Sequence, residues 1–308
     1  MIVDAHAHIY SQLCGLTGSG VTEPLSYGKA KLGTGQVLRF LPPLASETRF
    51  PVEALLEYMD WVGVDKAVLL QGPLYGDMNT YVHSAVQKWP DRFIGSAYLN
   101  PMLASAPAVF GHLVDELGFG VIKLELSDET GLCGIHTDLR LDDKRFVDWL
   151  WEAADSRALT ITPDLGSIGG RSYQTQELRM LIEAYSNVRW VIAHLGQPSP
   201  HIWLQSEIDA AWTEQVELAT YPNVWLDLAS LPHYFRDEDY PYPSVNRIVR
   251  RAIELVGVEK LLWGTDIPGM LTMLTYQQLR DLIMRHCDCL SQSHKDLIFG
   301  ANALAAYD

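Results

Sequence analysis

Three short stretches of this chain place chemically capable side chains at the ends of apolar runs. The first is Asp4-Ala5-His6-Ala7-His8. Side chains on a strand alternate with period two, so the spacing predicts Asp4, His6 and His8 on one side, with two imidazoles stacked along the strand. Imidazole is the commonest protein ligand for a divalent transition metal, although a chance pair of histidines on a half-buried strand has the same pattern. The second is His194, closing Val191-Ile192-Ala193-His194. A lone histidine there is either a satisfied core residue or an active-site group. The third is Asp266 in Trp263-Gly264-Thr265-Asp266-Ile267-Pro268. An aspartate at a strand end often only caps a turn, but beside two imidazoles it can hold a metal and accept a proton from water.

Positioning these residues requires a particular order of elements. Eight β-rich runs are expected as strands: Ile2–His6, Lys66–Leu70, Phe93–Tyr98, Gly120–Leu124, Leu159–Pro163, Arg189–His194, Val224–Leu228 and Leu261–Gly264. Several are almost continuously apolar, as in parallel strands covered on both faces. Between them lie helical faces such as Val52, Leu55, Leu56 and Met59, then Phe146, Trp149, Leu150 and Ala153, then Leu178, Leu181, Ile182 and Tyr185. Eight βα units in 308 residues predict a (β/α)₈ TIM barrel, read as a single domain over residues 1–308. In a closed barrel the eighth strand pairs with the first, which brings Asp266 to His6 and His8. A doubly wound open sheet competes, but it calls for a glycine-rich first turn, and this chain offers AHAHIY there. Ser11–Ser46, rich in Gly, Ser, Thr and Pro, is expected as a long loop insertion after the first strand and over the barrel mouth. Leu231–Ser244 is expected as a second loop at the same mouth.

Composition narrows the partners. The formal net charge of −15 disfavours nucleic acid and anionic membrane surfaces, while leaving a small anionic substrate compatible with local Arg or Lys. The 48% hydrophobic content supports a large core. The start MIVDAHAHIY lacks the pattern of a secretory signal, and no run has the length of a membrane span. Four sparse cysteines with no C-x-x-C pair point to a reducing cytoplasm. The sequence leaves the oligomeric state open and is compatible with a homo-oligomer, dimers being common on symmetry grounds.

Taken together, the motifs resemble the amidohydrolase superfamily, in its amidohydrolase-related branch, over nearly the whole chain. IVDAHAH resembles the first-strand motif, GFGVIKLELS the fourth strand, VIAHLGQP the sixth and NVWLDLASL the seventh. VGVEKLLWGTDIPGM resembles the G-[ST]-D-x-P signature of the eighth strand, and LSQSHKDLIFGANALAAYD the closing helix. The resemblance implies that His6, His8 and Asp266 hold a divalent metal such as zinc, that Asp266 is the general base, and that His194 polarises the substrate or the attacking water. One position departs from the pattern. Metal-dependent members usually carry a histidine on the fifth strand, where this chain has Thr162. A hydroxyl is a weak ligand for zinc, so Asp164 or water would substitute, or the protein resembles the lactonases that work without metal.

Lys123, Arg171 and Arg236 are candidate binders of a substrate carboxylate, each with the alternative of a structural or solvated role. His233 and Tyr234 lie in the second loop, and Cys133 has no base nearby to make it a nucleophile. With these residues, the resemblance implies a hydrolase acting through activated water on a small carboxylated lactone, cyclic ester or amide. The alternatives are a non-oxidative decarboxylase of an aromatic or semialdehyde acid, with Asp266 protonating carbon, and a catalytically inactive ligand-binding barrel.

Overall fold

The computed structural model describes residues 1–43, 46–145 and 147–308. Eight parallel strands form the central sheet: β1 (Val3–Ala7), β2 (Lys66–Leu69), β3 (Phe93–Tyr98), β4 (Val121–Glu125), β5 (Thr160–Asp164), β6 (Arg189–Ile192), β7 (Val224–Asp227) and β8 (Leu261–Leu262). They lie in chain order around the sheet. The ring closes where the Ala5 N–H donates to the Trp263 carbonyl (2.9 Å), the Asp266 N–H to His6 (2.7 Å) and the His8 N–H to Ile267 (2.8 Å). Gly264 permits this closure, because a Cβ there would lie 2.9 Å from the His6 Cβ. Helices join successive strands, as the alternation of periods implied. In helix Val52–Val62, Val52, Leu55 and Met59 are buried and Leu56 half-buried. In Thr175–Ala184, Leu178, Leu181 and Ile182 are buried. Helix Asp148–Ser156 buries Leu150, and Phe146, expected on the same face, lies outside the described residues.

The amino-terminal end of the barrel has an apolar floor. Val3, Ala5, Val68, Val121, Val191 and Leu262 pack on Ala303, Ala306 and Tyr307 of the terminal helix Asn302–Tyr307. At the other end, Ser11–Ser46 is more ordered than an irregular loop, although its residues 44 and 45 lie outside the description. Leu16–Thr17 pairs antiparallel with Gly20–Val21, and Lys29–Lys31 pairs with both Glu23–Pro24 and Val37–Arg39. These strands are two or three residues long, too short to show a period-two pattern in the sequence. Gly15 anchors the insertion, because a Cβ there would lie 1.8 Å from the Leu74 carbonyl oxygen. Among the described residues no helix is long and apolar enough to cross a membrane.

Candidate active site

A cavity of about 960 Å³ opens at the carboxyl ends of the strands. His8, Lys123, His194 and Asp266 line it, together with Arg39 and Phe40 from the insertion. His6 lies just beneath, fully buried. The spatial expectation from sequence is met: His6, His8, His194 and Asp266 converge. The ring centroids of His6 lie 5.1 Å from those of His8 and 4.6 Å from those of His194. Both His194 (φ 57°) and Asp266 (φ 62°) adopt left-handed backbone, a strained conformation of the kind that concentrates at functional sites.

Strand β1 departs from simple alternation. Asp4 pairs with Ala67 but Ala7 with Leu69, so β1 carries one extra residue between those points. Ala5 therefore packs into the floor while His6, the next residue, also reaches inward. Asp4 does not share the side of His6 and His8. Its carboxylate accepts from the Thr265 N–H (3.0 Å), the Thr265 hydroxyl (2.6 Å) and the Tyr276 hydroxyl (2.9 Å), and burial pushes its pKa up to about 7. Asp4 ties β1 to the turn that carries Asp266.

The hydrogen bonds assign the imidazole nitrogens. His6 Nδ1 faces Asp227 Oδ2 at 2.9 Å and His8 Nδ1 faces the Leu70 carbonyl at 2.8 Å, so both Nδ1 atoms carry protons. Burial lowers the pKa of both rings, well below the ordinary value for His6, where Lys123 and His194 add to the effect. Each neutral ring then presents a lone pair at Nε2. That of His8 points at Asp266 Oδ1, 2.9 Å away, and that of His6 lies 4.0 Å from the same oxygen. Two acceptors in contact require a positive centre, either a second proton on His8, which burial opposes, or a cation. The donor set of His6 Nε2, His8 Nε2 and Asp266 therefore fits a divalent ion of zinc type. Lys123 Nζ is the cation that competes for it, 3.1 Å from His6 Nε2. A second grouping, His6 with His194 and Asp227, does not fit, because His6 Nδ1 already donates to Asp227 Oδ2 (2.9 Å) and His194 Nδ1 faces the Ala229 carbonyl (3.3 Å).

His194 has acceptors at both nitrogens, the Ala229 carbonyl at 3.3 Å from Nδ1 and Asp164 Oδ2 at 3.2 Å from Nε2. Burial works against its charge, but Asp164, Asp227 and Asp266 prevail and raise its pKa to about 9. It is an imidazolium. Burial likewise opposes ionisation of Asp266, yet a positive centre shared with His8 Nε2, together with the charge of His194, holds its carboxyl well below the usual range. Ser230 Oγ donates to its other oxygen. Burial also opposes the charge of Lys123, but Glu125, Asp164, Asp266 and Asp227 keep its pKa raised.

Arg236 lines the cavity and donates to His233 Nε2 (2.8 Å), and Tyr234 lines it beside them. Arg171 is placed elsewhere. It grips the protein's own Asp128 through Nη2 (2.9 Å) and Nε (3.1 Å), donates to the Thr137 and Cys133 carbonyls, and is not part of the lining. Thr162 points into the floor, where its hydroxyl meets the Tyr307 hydroxyl at 3.2 Å, so it offers nothing to the metal position. Asp164 does not replace a ligand either, being engaged by His194 and by Gln197 (2.6 Å). Burial pushes the Cys133 thiol up to about 12. Sequence reasoning missed Asp227, Glu125 and Arg39. A carboxylate closing the apolar run Val224–Asp227 was a usable signal, whereas nothing local distinguishes Arg39.

A family model described as amidohydrolase matches residues 3–308. Among solved structures, a probable 2-pyrone-4,6-dicarboxylic acid hydrolase from Acinetobacter baumannii with citric acid bound is similar at a TM-score of 0.67 and 18% identity, covering 99% of this chain and 98% of that one. An amidohydrolase from Burkholderia multivorans with bound zinc gives 0.68 and 17%, covering 100% and 99%. The 5-carboxyvanillate decarboxylase of Sphingomonas paucimobilis gives 0.56 and 17%, covering 82% and 81%. No curated protein matches the sequence. With eight parallel strands closed in a TIM barrel and a family match from the first strand to the last residue, the chain belongs to the amidohydrolase family.

Proposed function

We propose that the protein hydrolyses a small carboxylated lactone or cyclic ester at the mouth of the barrel. The observation that carries this reading is the contact between the His8 Nε2 lone pair and an ionised Asp266, with the His194 imidazolium beside them. Asp266 accepts the proton of the attacking water, and His194 donates to the oxygen that becomes negative when the carbonyl is attacked. A divalent ion held by His6, His8 and Asp266 supplies, when bound, Lewis acidity at the same place. Asp227 keeps the proton of His6 on Nδ1 and thereby aims Nε2 into the site. Arg39 and Arg236 border the cavity and, among the described residues, donate to carbonyl oxygens and to His233, which leaves their charge available for a substrate carboxylate. Four free cysteines fit a reducing compartment such as the cytoplasm.

The decarboxylase alternative requires Asp266 to deliver a proton to carbon. The test is turnover of a panel of carboxylated lactones and aromatic acids, with ring opening and CO₂ release followed separately. Ring opening that Asp266→Asn reduces at least about a hundredfold supports the reading. CO₂ release without ring opening, or an unchanged rate in Asp266→Asn, overturns it.

A further inference from the structure

Glu125 and Asp164 stand directly opposite each other in the register of β4 and β5. Both side chains line the cavity, and each carboxyl bears on the charge of the other. Two carboxylates in that relation do not both ionise readily at neutral pH, because each raises the cost of charge on the other. Their partners decide which one keeps the charge. Asp164 accepts from Gln197 Nε2 (2.6 Å) and the Gly166 N–H (3.1 Å) and faces the His194 imidazolium. Glu125 receives the Ser127 N–H at 3.2 Å and pairs with the Lys123 ammonium at 3.6 Å, which offsets part of its cost of ionising. The other titratable groups that face Glu125 are Tyr75, Tyr234 and Cys133, all protonated because burial pushes each of them up. None of them compensates a second negative charge, and burial with the Asp164 charge pushes Glu125 up to about 7.

We propose that Glu125 and Asp164 hold one proton between them, and that Glu125 is the general acid that protonates the departing alkoxide oxygen. The inference rests on the hydrolase reading. Water forms a C–O bond to the substrate carbonyl carbon and gives its proton to Asp266. When the tetrahedral centre collapses, the ring C–O bond breaks, its electron pair stays on the ring oxygen, and that oxygen takes the Glu125 proton. The product is a hydroxy acid. The proton on Asp266 returns to Glu125 through water in the cavity, so the cycle consumes only water and lactone. Glu125 and Asp266 thus divide the acid and base roles between two sides of one cavity.

The test uses the full chain with two substrates, an alkyl lactone and a p-nitrophenyl ester whose leaving group needs no proton. Glu125→Gln keeps the Ser127 acceptor and is expected to lose about 10²- to 10³-fold in kcat on the lactone and less than about threefold on the aryl ester. Asp164→Asn removes the charge that holds the Glu125 proton, so the alkaline limb of the lactone pH profile should move to lower pH. Difference infrared spectra at pH 6 should show a protonated carboxyl band in the wild type that Glu125→Gln lacks. Equal losses on both substrates, an unmoved limb, or no such band overturns the proposal. If the wild type opens neither substrate, the hydrolase reading falls and the leaving-group step with it, while the infrared band still reports the shared proton.

Discussion

Asp227→Asn is a sharp perturbation because it changes one proton position with almost no change in shape. Asp227 is fully buried, and its Oδ1 accepts the backbone N–H groups of His194 (2.8 Å) and Ala229 (3.0 Å). Asparagine must keep its amide oxygen at that position, because an NH₂ group there would face two donors. The NH₂ then faces His6 Nδ1, which in the wild type donates to Oδ2 at 2.9 Å. His6 Nδ1 becomes an acceptor and the ring proton moves to Nε2, the atom that supplies the lone pair to the metal position. Losing such a hydrogen-bonded carboxylate behind a metal-binding histidine costs about 10- to 100-fold in metal affinity, or about 1.4–2.8 kcal/mol. The fold should survive, since burial raises the pKa of Asp227 and removing its charge relieves that cost. Zinc affinity measured by competition with a chromogenic chelator checks this. An affinity within about twofold of wild type, in a variant whose His6 proton has moved by nitrogen NMR, would refute the argument that the tautomer controls the site.

Three further outcomes follow from the same contacts. His194 has a folded pKa of about 9, above its ordinary value of 6.5, so its contribution to stability is full below pH 6.5 and is lost as pH rises through 9. Thermal melts between pH 6 and 10 should show this loss, and His194→Asn should flatten it. Arg39→Ala and Arg236→Ala should each raise KM for a carboxylated lactone about tenfold or more with kcat little changed, and should leave the KM of an uncharged analogue alone. Thr162→His should not add a metal ligand. Packed against Tyr307 in the floor, the larger ring should cost about 1–3 kcal/mol in stability and leave zinc stoichiometry unchanged, by denaturant titration and metal analysis.

The barrel was legible in the sequence because buried parallel strands and amphipathic helices leave different periods. All eight expected runs coincide with observed strands, with ends agreeing to within two residues. The meeting of His6, His8, His194 and Asp266 was legible too, because barrel closure dictates which strand ends are neighbours. What failed to show depends on single residues and on distant partners. The extra residue in β1 leaves no local mark, so Asp4 was placed with His6 and His8 when it braces Thr265 and Tyr276. Arg171 reads as an available cation until its tertiary neighbour Asp128 is known. The insertion hid its small sheets in strands of two or three residues, and with them the arrival of Arg39 at the cavity.

The central claim is that His6, His8 and Asp266 form one cation-binding set at the carboxyl end of the barrel. Anomalous diffraction at the zinc edge from crystals of zinc-loaded protein tests it directly. The account predicts one peak per chain, about 2.0–2.2 Å from His6 Nε2, His8 Nε2 and an Asp266 oxygen, with Lys123 displaced from His6. A peak elsewhere, or no peak with Lys123 still on His6 and His8 still on Asp266, would contradict it.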